Sequence, residues 1–177
     1  MQTILLIKYS QANVLTWRTE SREPSRMIPQ PDQPVHIILI DDDDVDVEAV
    51  ARLLHRQRLP HRLTVFANGR DAQLAFAGSF GRDILAQRYL ILLDLNMPRM
   101  NGFEFLDWLR SVPDLLRSIV FVFTTSETPL DRDLAYDRQV AGYLAKPRLG
   151  PGYADLVPLL TIFSRDVSFP PPVTACA

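Results

Sequence analysis

An α/β fold, a parallel sheet wrapped on both faces by helices, is what this sequence of 177 residues predicts, and three observations predict it. Short apolar runs alternate with stretches of helical periodicity from Val35 to Phe163. Those runs are continuously apolar and rich in β-branched residues, as strands buried on both faces are, whereas half-exposed strands alternate. The composition, 47% hydrophobic and 23% charged, suits a globular domain able to bury a core.

Val35-His36-Ile37-Ile38-Leu39-Ile40 reads as the first strand, followed by an acidic turn. Val47, Val50, Ala51 and Leu54 then recur at the spacing of one helical face. Asp43 or Asp44 is the candidate N-cap of that helix. Residues 62–66 read as the second strand, and Asn68-Gly69 opens a helix carrying Ala72, Ala75 and Phe76. Residues 89–94 (YLILLD) give the third strand, and a turn containing Pro98 leads to a helix over 102–110. The fourth strand covers 118–124, a helix follows over 129–138, and the fifth strand covers 140–145. The last helix has Asp155 as its candidate N-cap and Leu156, Leu159, Leu160 and Phe163 on one face, with Pro158 tolerated in the first turn. Five such units in roughly 130 residues fit a flavodoxin-like, doubly wound, five-stranded parallel sheet of strand order 2-1-3-4-5, whose sites lie at the carboxyl ends of the strands.

The domain is therefore expected over 35–165, with an N-terminal extension over 1–34 and a tail over 166–177. Pro24, Pro29, Pro31 and Pro34 make an extended linker of the end of that extension. Residues 1–17 are left as one short extra strand or as no ordered structure, and Met27 as an alternative translation start. No apolar run approaches the length of a membrane span, and the start lacks the charge order of a secretory signal. A net charge of −2 does not favour nucleic acid or an anionic membrane, and the single Cys176 permits no internal disulfide. A cytoplasmic location is expected.

The predicted strand ends collect the chemistry. Asp41-Asp42-Asp43-Asp44 follows the first strand, Asp94-Leu95-Asn96-Met97-Pro98 the third, Thr124-Thr125-Ser126 the fourth and Lys146-Pro147 the fifth. Converging carboxylates repel and call for a cation, and an oxygen-only site with room for water suits Mg²⁺. A carboxylate can itself accept a phosphoryl group as an acyl phosphate. The ammonium and the hydroxyl can then hold the phosphoryl oxygens. Taken singly, an acidic run is usually a solvated turn, and Thr-Thr-Ser is ordinary loop chemistry. Their joint placement at four strand ends overturns those readings.

These residues resemble the receiver domains of two-component response regulators over about residues 35–165, through IILIDDDDVD, LILLDLNMPRMNGFEFLDWLR, VFVFTTSE and GYLAKP. The resemblance implies Asp94 as phosphoacceptor and Asp41 with Asp42 as the acidic pair, Asp42 touching Mg²⁺ directly. It implies Asn96 as a main-chain carbonyl ligand, Thr124 as the switch hydroxyl, Lys146 as the conserved ammonium and Tyr143 as the aromatic rotamer switch. It also implies a cis Lys146–Pro147 bond. Within that family the chain is most similar to small single-domain regulators that partner phytochrome-type histidine kinases. Asp46, the FTTS after the fourth strand and the tail with Phe163, Phe169 and Pro170-Pro171-Pro172 carry that narrower likeness.

The expectation is a phosphorylation switch, not an enzyme with an outside substrate, that takes its phosphoryl group from a sensor histidine kinase. A phosphorelay shuttle without its own output and a Mg²⁺-dependent phosphatase with an aspartyl nucleophile are the alternatives. The phosphatase pattern places its nucleophile after the first strand and its acid pair late, the reverse of the order here. Only about 30 residues follow the fifth strand, where a DNA-binding module needs roughly 50 or more. Phe163, Val167 and Phe169 have no evident cover, so a homodimer through the last helix and the tail is a further expectation, with a tail folded back on its own domain or disordered as the alternative. His36, His55 and His61 show no ligand spacing, and Phe105 and Trp108 read as core or partner-facing surface.

Overall fold

The computed structural model describes residues 7–8, 15–18, 34–57, 61–165, 167 and 169–170. Its strands are β1 (Ile7–Lys8), β2 (Leu15–Arg18), β3 (Val35–Ile40), β4 (His61–Phe66), β5 (Tyr89–Leu93), β6 (Ile119–Thr124) and β7 (Gly142–Ala145). Its α-helices are α1 (Asp44–Arg56), α2 (Gly69–Ala77), α3 (Ser79–Leu85), α4 (Gly102–Ser111), α5 (Pro129–Asp137) and α6 (Leu156–Arg165).

The parallel part of the sheet runs β4-β3-β5-β6-β7, which is the 2-1-3-4-5 order expected for five strands. The full sheet has seven. β2 pairs antiparallel with β4 in the register Leu15↔Val65 to Arg18↔Arg62, and β1 pairs antiparallel with β2. The physical reason is the outer edge of β4, whose row of N–H and C=O groups would otherwise lack ladder partners. Met27, the proline-rich linker and the run Pro170-Pro171-Pro172 fall wholly or partly outside the described residues, as does Cys176.

Successive residues of each strand face opposite sides of the sheet, and two cores result. Ile38, Ile40, Ile91, Leu93, Val120 and Val122 face α2 to α5 and pack with Phe76, Ile84, Phe105, Leu109 and Ala135. Ile37, Leu39, Leu90, Leu92, Phe121 and Phe123 face α1 and α6 and pack with Val50, Leu54, Leu156 and Leu160. Phe105 is thus core, and Trp108 is half-buried against its ring, with centroids 5.6 Å apart.

The helices start where their caps dictate. The Asp43 carboxylate accepts from the Val45 N–H at 2.8 Å, and Asn68 accepts from the Asp71 N–H at 2.9 Å. Asn101 and Glu104 form a reciprocal capping box, and Thr128 caps α5 ahead of Pro129. The sequence did not predict α3. It has only seven residues, and its Gly81 lies so close to the Phe76 carbonyl that a Cβ there would sit 1.8 Å away.

The described tail residues follow the alternative of a tail folded back on its own domain. The Phe163 ring meets Phe121 edge-on at 5.1 Å, and Phe169 meets Phe163 edge-on at 6.2 Å. The Arg88 guanidinium covers Phe169 at 4.8 Å and donates to the Phe163 and Val167 carbonyls, both at 3.3 Å. These apolar side chains are covered by their own domain, which removes the observation behind a homodimer through the last helix and tail.

Candidate functional site

The strand termini place the site. Asp41 directly follows β3, and Asp94 directly follows β5. Their main chains continue the parallel ladder for one more step, with Asp41 N–H donating to Phe66 and Asp94 N–H to Ile40, both at 2.9 Å. Asp42 is exposed beside them. One carboxylate oxygen from each of Asp41, Asp42 and Asp94 lies within 4.8 Å of the others. The loop after Asp94 is held down by α4. Gly102 sits so close that a Cβ there would come 2.4 Å from the Asp94 carbonyl, so only glycine lets α4 begin at that point.

Lys146 directly follows β7, and its ammonium is buried among the acids. It lies 2.8 Å from Asp41 Oδ2, 2.5 Å from Asp46 Oδ2 and 4.0 Å from Asp94 Oδ1. The last distance is too long for a hydrogen bond. Asp94 Oδ1 is buried and accepts no hydrogen bond. An all-oxygen donor set with an unsatisfied buried carboxylate oxygen fits a hard divalent cation. Burial pushes the Asp41 carboxyl up to about 6, although Lys146 pulls against it. Burial alone would lower the Lys146 ammonium, but its carboxylate partners, Asp41 first, leave it raised.

Thr124 ends β6 with its side chain fully buried, and its hydroxyl accepts from the Ser126 N–H at 3.3 Å. Tyr143 is half-buried on β7, and its hydroxyl donates to the Ser126 carbonyl at 3.0 Å. Ser126 therefore joins the two expected switch residues. The Asn96 side chain is exposed in the turn after Asp94. No cis bond occurs among the described residues, so Lys146–Pro147 is trans, contrary to expectation. The segment Lys146–Arg148 closes a 3-10 turn with Pro147 at its start, and the lysine reaches the acids from that geometry.

Two residues of the site were missed as such. Asp46 is buried, and it accepts from Lys146 on one oxygen and from the Tyr153 hydroxyl on the other. The sequence marks Asp46 only as part of the narrower likeness and gives it no place in the site, because an acid in the first turn of a helix is also what the dipole favours. Tyr153 stood in a Gly-Pro-Gly-Tyr loop with no assigned role. It adopts φ 59, a conformation rare outside glycine, just after Gly152 at the same φ.

The sequence profile of the response regulator receiver domain matches residues 37–150. The chain belongs to the response regulator receiver family. This receiver is 36% identical over 116 residues to response regulator Rcp1 of Synechocystis sp., covering 65% of this chain and 78% of the relative. A crystal structure of the Mn²⁺-bound form of Rcp1 superposes with TM-score 0.64 at 32% identity, covering 77% of this chain and 99% of that one. The phosphorylated cyanobacterial phytochrome response regulator RcpA superposes with TM-score 0.69 at 26% identity, over 78% and 99%. Nothing in these likenesses favours the aspartyl phosphatase alternative.

Proposed function

We propose that this receiver accepts a phosphoryl group from a sensor histidine kinase on Asp94 and thereby switches a protein-binding surface. The observation that carries the reading is the buried, unbonded Asp94 Oδ1 facing two further acids and one ammonium. In the transfer, an Asp94 carboxylate oxygen forms a bond to phosphorus as the bond to the kinase imidazole nitrogen breaks, leaving a mixed anhydride. Asp41, Asp42 and Asp94, with the Asn96 main-chain carbonyl, would hold Mg²⁺. Bound there, Mg²⁺ supplies the positive charge that offsets the phosphoryl oxygens. Lys146 offers an ion pair and Thr124 a hydroxyl to the same oxygens, and Thr124 and Tyr143 share Ser126 as the link toward α5.

The chemistry is confined to the protein's own phosphorylation and dephosphorylation, in a cytoplasmic setting. Among the described residues no helix is long and apolar enough to cross a membrane. A phytochrome-type kinase is the partner that the likeness to Rcp1 and RcpA supports. Incubation with a small acyl-phosphate donor should label wild type only when Mg²⁺ is present, and Asp94→Asn should abolish labelling. Labelling of that variant at the wild-type level would refute the assignment. Phosphotransfer from a panel of purified histidine kinases should be fastest from a phytochrome-type member.

A further inference from the structure

Among the described residues the buried carboxylates are Asp41, Asp46 and Asp94. Asp41 and Asp94 belong to the group of oxygens able to share a cation, and Asp46 does not. The phosphoryl chemistry leaves Asp46 without a task. An acid in a first helical turn ordinarily stays solvated, where the helix dipole is its only reward. Asp46 is instead drawn into the protein, and both its oxygens bond to partners far along the chain, Lys146 and Tyr153.

The geometry is a competition for one ammonium. Lys146 Nζ is within hydrogen-bond reach of Asp46 at 2.5 Å and Asp41 at 2.8 Å, but stands 4.0 Å from Asp94. The Phe123 ring lies 4.9 Å from Nζ, and the Tyr153 ring stands edge-on to Phe123 at 4.9 Å. Tyr153 thus both anchors the Asp46 carboxylate and packs on the ring that walls the lysine. We infer that Asp46, anchored by Tyr153, is a positioning residue that holds Lys146 short of Asp94, so that a phosphoryl group on Asp94 must draw the ammonium away from Asp46. Because the Tyr153 loop lies between β7 and α6, release of Asp46 would also loosen the start of α6. The inference rests on Asp94 being the acceptor.

The test is calorimetric titration of the full chain with beryllofluoride, a phosphoryl mimic, in saturating Mg²⁺. Asp46→Asn keeps an acceptor for the Tyr153 hydroxyl but removes the charge that competes for Lys146. It should bind beryllofluoride more tightly, on the order of tenfold, the size expected when one charge-assisted hydrogen bond stops competing. Its affinity for Mg²⁺ alone should change by less than about threefold, since Asp46 donates no ligand. A purely structural role would weaken binding, so an unchanged or weaker affinity for beryllofluoride overturns the inference. If Asp46→Asn does not fold, Tyr153→Phe decides: a smaller tightening supports the inference, and unchanged or weaker binding overturns it. Asp94→Asn separates the two failures. If it binds beryllofluoride like wild type, the acceptor reading falls. If it does not bind and Asp46→Asn fails to tighten, only the role of Asp46 falls.

Discussion

The two ends of the sheet bury polar groups equally well and treat them in opposite ways. At the amino ends the buried groups are neutral, and all but the His36 Nδ1 atom are paired with one another. His36 Nε2 and Thr64 Oγ1 share a hydrogen bond of 2.7 Å, and the Tyr89 and Ser118 hydroxyls share another of 2.7 Å. Burial lowers the His36 imidazole to about 4, so it stays uncharged. At the carboxyl ends of the same strands stand three acids and one ammonium, and an oxygen of Asp94 is left with no hydrogen bond. The unpaired atom at the amino end belongs to a neutral ring, so no charge is left unmatched there. The carboxyl end holds unmatched negative charge that an added cation would offset, and that is the mark of a working site.

The largest test of this contrast is Lys146→Ala. Removing the ammonium strands buried acids and should cost about 3–5 kcal/mol in chemical denaturation. A loss under about 1 kcal/mol would mean that the lysine does not hold the carboxyl end together. At the amino end, Thr64→Val keeps the shape and leaves His36 Nε2 without its partner. It should cost about 1–3 kcal/mol, with no effect on Mg²⁺ binding. At the carboxyl end, Asp41→Asn should move stability the other way. Its carboxyl is raised to about 6, so ionisation at neutral pH works against the fold. The metal-free variant should gain on the order of 1–2 kcal/mol while losing Mg²⁺ affinity. Destabilisation by Asp41→Asn would break the contrast.

The smallest effect is in pH, where the two ends titrate in one window with opposite sign. Asp41 has a folded pKa of about 6 against an ordinary 3.8, so its contribution is present at low pH and is lost as pH rises through about 6. His36 has a folded pKa of about 4 against 6.5, so its contribution is present above 6.5 and is lost as pH falls toward 4. In metal-free wild type the two slopes oppose each other. Asp41→Asn leaves only that of His36, so its stability should fall more steeply from pH 6 to pH 4, by up to about 1.4 kcal/mol per pH unit. Parallel curves for variant and wild type would show that Asp41 is not raised.

The convergence of Asp94, Asp41, Asp42, Thr124 and Lys146 was legible because they stand at the ends of strands whose apolar runs are unmistakable. Strand ends converge by topology alone. What was not legible lies off the strand ends. Asp46 was marked by the narrower likeness, but no local pattern encodes its reach to Lys146, and Tyr153 sits in a loop whose path depends on positive φ at Gly150, Gly152 and Tyr153 itself. The cover over Phe169 comes from Arg88, a residue on the approach to β5 whose reach to the tail no local pattern encodes. β2 lies beyond a run of prolines, and its partner β4 was indistinguishable from an uncapped edge.

The most direct test of the contrast compares thermal unfolding of wild type and Asp94→Asn, each with and without Mg²⁺ and beryllofluoride. If the carboxyl end holds unmatched charge that its ligands settle, metal-free Asp94→Asn should melt above metal-free wild type. Wild type should rise on adding the ligands, and the variant should stay where it was. A variant that melts below wild type and still rises with the ligands would contradict the account.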